Sequence, residues 1–84
     1  MSHSSQLFIR TGGFLYDRLS LGQLIEWIQD NEAYWAALPE GDEAKHLADM
    51  IMLAAYSVQD GARDEASAKE LIRRAALEPA STTL

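Results

Sequence analysis

The sequence predicts a mostly α domain of three to four helices, with a short β-hairpin packed on it at the N-terminus. Three observations carry that prediction: apolar residues recur at helical spacing in three runs, capping residues stand ahead of those runs, and proline or glycine separates them. Eighty-four residues suffice for one core and not two. With 48% hydrophobic and 24% charged residues, the composition is that of a packed domain and not of a solvating disordered segment.

Ser2, His3, Ser4 and Ser5 form a polar run that is either native or added to the chain, so residues 1–5 are read as a disordered leader outside the fold. Residues 6–78 form the single domain, and 79–84 a flexible tail. Within it, Leu7-Phe8-Ile9 and Phe14-Leu15-Tyr16 are β-favouring triplets on either side of Thr11-Gly12-Gly13, where the Gly-Gly pair suits a tight turn; this is the expected hairpin, over Gln6 to Leu19.

Ser20 is placed to cap a first helix with Leu21, Leu24, Ile25 and Ile28 on one face. The pattern stalls at Asp30-Asn31-Glu32, so a break is expected there, with Asn31 capping a further turn over Ala33 to Leu38 before Pro39 and Gly41 end it. Asp42 then caps a helix whose stripe of Ala44, Leu47, Ala48, Ile51, Ala54, Ala55 and Val58 is widened by Met50, Met52, Leu53 and Tyr56. A helix apolar on most sides should be the central one, and Gly61 can supply its left-handed terminal residue. A last helix begins at Asp64, or at Ser67 through the capping box Ser67-Ala68-Lys69-Glu70; it carries Ala68, Leu71, Ile72 and Ala75 inward and stops at Pro79.

Catalytic chemistry finds no footing. The absence of cysteine removes a disulfide framework, a thiolate zinc site and a thiol nucleophile together, and fits a reducing compartment. His46, with Glu43 and Asp49 one turn away on either side, offers too few ligands for a specific metal site. Ser20 and Ser67 read as caps, and Thr11-Gly12-Gly13 lacks the Lys-Ser or Lys-Thr of a phosphate loop. No apolar run reaches the ~18 residues of a membrane span, and no basic, apolar leader opens the chain, so the expectation is a cytoplasmic protein that is not an enzyme and uses neither cofactor nor metal.

Charge is the informative feature. Between Glu26 and Asp49 lie seven acids (Glu26, Asp30, Glu32, Glu40, Asp42, Glu43 and Asp49) against one base, Lys45, so this segment holds the entire net charge of −6. Such a field disfavours direct binding to a phosphate backbone and favours a protein partner with a basic surface. Trp27, off the apolar stripe of its helix, and Trp35 are either core fillers or anchors for that partner. Met50, Met52, Trp27 or Trp35 could instead form a homodimer seam, with the acidity serving solubility. In size, charge and helicity the chain resembles two sorts of small inhibitor, phage-encoded anti-CRISPR proteins and the acidic helical immunity proteins of nuclease bacteriocins. That resemblance implies a decoy for a nucleic-acid-handling protein, although the Tyr-Tyr-Pro element of the colicin immunity proteins is missing.

Overall fold

The computed structural model describes residues 2–77, and among them there are five α-helices and no strand. The first, α1, covers His3–Leu15 and replaces the expected hairpin. Leu7, Thr11 and Phe14 recur at i, i+4, i+7 and are its buried residues. That stripe decides the conformation. A lone hairpin would have no sheet to join, whereas the helix buries Leu7 and Phe14, each worth about 1.5–3 kcal/mol, enough to offset the ~1 kcal/mol that each mid-helix glycine costs relative to alanine. Thr11 hides its hydroxyl by donating to the Leu7 carbonyl at 2.7 Å. Ser2 caps the helix by accepting from the Ser5 amide at 3.1 Å, so the serine run set aside in the sequence supplies the cap and first turn. The far end closes with Arg18 N–H on the Gly13 carbonyl and Asp17 N–H on that of Phe14, which places Asp17 in the left-handed region at φ 62°.

The second helix, α2, is Leu21–Asp30, and Ser20 forms a full capping box with Gln23. It ends at Asn31, as the stalled apolar pattern requires, and α3 follows over Glu32–Ala37. Asn31 makes no side-chain cap; its amide group donates back to the Trp27 carbonyl at 2.8 Å, bracing the junction from behind. Leu38 is extended ahead of Pro39, where helix is disfavoured.

The long helix α4, Glu43–Gln59, starts on Asp42, whose carboxylate accepts from the Ala44 and Lys45 amides. Gly61, at φ 79°, terminates it as predicted, with Ala62 N–H on the Ser57 carbonyl. The final helix, α5, is Glu65–Leu77 and begins on Asp64, which accepts from the Ser67 amide at 2.7 Å. Ser67 is therefore inside the helix, and the alternative capping box is not formed, since Glu70 turns forward to Arg73 and Arg74. The expected stop at Pro79 and the tail at 79–84 lie outside the described residues.

Packing makes α4 central, because it touches each of the other four helices. Leu47, Ala48, Ile51 and Ala54 meet Leu7 and Phe14 from α1, Leu24 and Ile28 from α2, Trp35 from α3, and Ala68 and Ile72 from α5 in one core. Among the described residues no helix is long and apolar enough to cross a membrane.

Candidate protein-binding surface

The acidic segment runs through α2, α3 and the first half of α4, and the fold gives its seven carboxylates three different fates. Asp42 is consumed as the cap of α4. Glu40 lies in the Leu38–Asp42 loop, 3.2 Å from the Lys45 ammonium, which also donates to the Leu38 carbonyl at 3.1 Å. Glu26, Asp30, Glu32, Glu43 and Asp49 are exposed and form no ion pair among the described residues.

These five do not share one wall. Glu43 and Asp49 are six residues apart on α4, which separates them by about 120° around the axis. Glu32 and Asp49 do converge: both border a depression of about 280 Å³ where α2 and α3 meet α4, floored by Ile28, Trp35, Ala48 and Met52. Glu26 borders a second depression of about 470 Å³ farther along the α2–α4 seam, between Ile25, Ala55 and Val58. Gln29 of α2 lines both, with Tyr56 on the first and its neighbour Ala55 on the second. The seam is thus apolar at its base and acidic at its edge.

Three bases outside the segment, Lys69, Arg73 and Arg74, are engaged by acids that also lie outside it. Lys69 reaches Asp17 at 2.6 Å. On α5, hydrogen bonds from Arg73 and then Arg74 hold the Glu70 carboxyl at about 2, down from 4.5. Whatever that exposed pairing adds to the native state is present above the unfolded value of 4.5 and disappears as the pH falls through about 2.

The two tryptophans divide. Trp35 is buried and its indole N–H donates to the Ile28 carbonyl at 3.0 Å. Trp27 is half-buried, with its ring 5.7 Å from that of Trp35 in an edge contact and the Arg10 guanidinium 4.7 Å above it. Tyr34 completes the cluster, stacked on His3 and hydrogen-bonded to Ser4. Trp27 therefore faces α1, and the sequence could not show this while residues 6–19 read as a hairpin. The side chains that do line the acidic seam, Met52 and Tyr56 above all, stand in the sequence as the residues that widen the α4 stripe beyond the core.

Among the described residues no group of three or more His, Cys, Asp or Glu side chains is placed to hold a metal ion. His46 is exposed, with Glu43 and Asp49 one helical turn away on either side. No protein family, curated protein or solved structure matches this chain.

Proposed function

We propose that this protein is a small acidic binding module that docks on the basic surface of a nucleic-acid-handling protein and acts there as an inhibitor or decoy, in the manner of an anti-CRISPR or immunity protein. The observation that carries the reading is the set of five exposed carboxylates without an ion-pair partner among the described residues, all inside one stretch of chain. Of these, Glu26, Glu32 and Asp49 border the α2–α4 seam, and a complementary basic surface there would steer the encounter. The reading implies a cytoplasmic protein without catalytic chemistry, cofactor or metal. Affinity capture from the source cells, followed by mass spectrometry, should return a basic protein, and its binding should weaken at least roughly tenfold between about 50 and 500 mM salt. The triple reversal Glu26→Lys, Glu32→Lys, Asp49→Lys should do the same at low salt. An acidic partner, or affinity indifferent to both changes, sinks the reading.

A homodimer is the second reading, and one observation favours it. Phe8, Ile9 and Tyr16 are 40%, 59% and 79% exposed on the outer face of α1, and a Cβ placed on Gly12 between them would meet nothing within 4 Å. Nothing among the described residues requires that glycine. In a monomer Gly12→Ala should therefore raise stability by about 0.5–1 kcal/mol, measured by urea unfolding at low micromolar concentration. Under the dimer reading, light scattering across a concentration series finds a dimer that the same methyl group weakens; a clean monomer at high concentration removes that reading.

A further inference from the structure

We infer that the α2–α4 seam is a groove for one amphipathic helix of a partner protein, its apolar stripe on Met52 and Tyr56 and its lysine or arginine heads on the acidic edge. This inference rests on the acidic-module reading and specifies where and how that module binds.

The groove has the length for it. The two depressions together follow α4 from Lys45 to Gln59, which at 1.5 Å per residue is about 21 Å, or some four helical turns. Its base is apolar and only partly covered: Met52 is half-buried and Tyr56 half-exposed, one turn apart on the same side of α4. Its edge is charged with a single sign, since Glu32, Asp49, Glu26 and Glu65 border it and none has an ion-pair partner among the described residues. Lys45, the one bordering cation among the described residues, is already held by Glu40 and the Leu38 carbonyl.

Those features select the occupant. A nucleic acid would bring phosphates to an acidic edge. An extended peptide gains most of its affinity by joining a sheet edge, and the described residues contain no strand. A helix satisfies its own backbone and needs only an apolar stripe and flanking charge. A second copy of this chain would bring six more negative charges. A basic amphipathic helix fits each of these constraints.

The test titrates isotopically labelled protein with a synthetic helical peptide of about 14 residues, leucine on one face and lysine on the other, followed by amide chemical shifts. Shifts should concentrate at the residues lining the seam. Glu32→Lys with Asp49→Lys should weaken binding roughly tenfold or more, and Tyr56→Ser several-fold, whereas Asp30→Lys with Glu43→Lys, an equal charge change outside the groove, should alter it less than about twofold. Equal loss from both double reversals, with shifts scattered over all the acids, overturns the groove and leaves the acidic-surface reading standing. No binding, or no response to Tyr56→Ser, overturns the groove as well. A leucine-glutamate peptide that binds equally well in high salt overturns both.

Discussion

Trp35→Ala should lower the unfolding free energy by about 3–5 kcal/mol, a large fraction of what a domain of this size holds. The reason begins with α3, which has six residues and cannot be stable by itself. What keeps it in place is the ring of Trp35, buried against the core, with Tyr34 edge-on at 4.9 Å and Trp27 at 5.7 Å. The indole N–H also reaches the Ile28 carbonyl in the last turn of α2, so one side chain ties α3 to the helix before it. Trp35→Phe keeps most of the ring packing but not the hydrogen bond, and should cost only about 1–2 kcal/mol. Urea unfolding followed by circular dichroism checks both; a loss under about 1 kcal/mol for alanine would show that α3 is held by something else. Because Glu32 rides on α3 and Trp35 floors the groove, the alanine variant should also weaken any partner that uses this seam.

The elements that were legible in the sequence are those where cap, apolar spacing and breaker agree. At α2 the serine cap, the Leu24 and Ile28 spacing and the halt at Asn31 all describe the same ten residues. At α4 the Asp42 cap and the left-handed Gly61 bracket the stripe that forms the core. The N-terminus misleads because two short apolar triplets around Gly-Gly satisfy a strand pattern locally, while Leu7, Thr11 and Phe14 satisfy a helical one over a longer span; packing against α2, α4 and α5 rewards the second. That one misreading propagates to the site. With α1 absent from the picture, Arg10 has no reason to lie over Trp27, and the ring looks available to a partner. The charge of the acidic segment can be counted directly, but its division into a cap, a lysine-paired loop residue and five exposed groups depends on the Leu38–Asp42 turn and on the rotation of α4, which a count does not contain.

Ile51 and Leu53 set the second large effect against its control on one helix. Both are large aliphatic residues of the widened α4 stripe, and by composition alone they would be expected to matter equally. Ile51 has no exposed surface and sits in the core where α4 is surrounded by the other helices, while Leu53, two residues on, is 54% exposed. Ile51→Ala removes buried methyl groups and leaves a cavity that neighbouring helices cannot all close at once, so it should cost about 2–4 kcal/mol; Ile51→Val, one methylene smaller, should cost about 0.5–1.5 kcal/mol. Leu53→Ala should stay within about 0.5 kcal/mol, because the half-exposed side chain buries little apolar surface and alanine's better helix propensity offsets its removal. Denaturant midpoints with unchanged slopes would measure all three. Comparable losses from Ile51→Ala and Leu53→Ala would mean that the Leu53 side of α4 is packed as tightly as the side that faces the core.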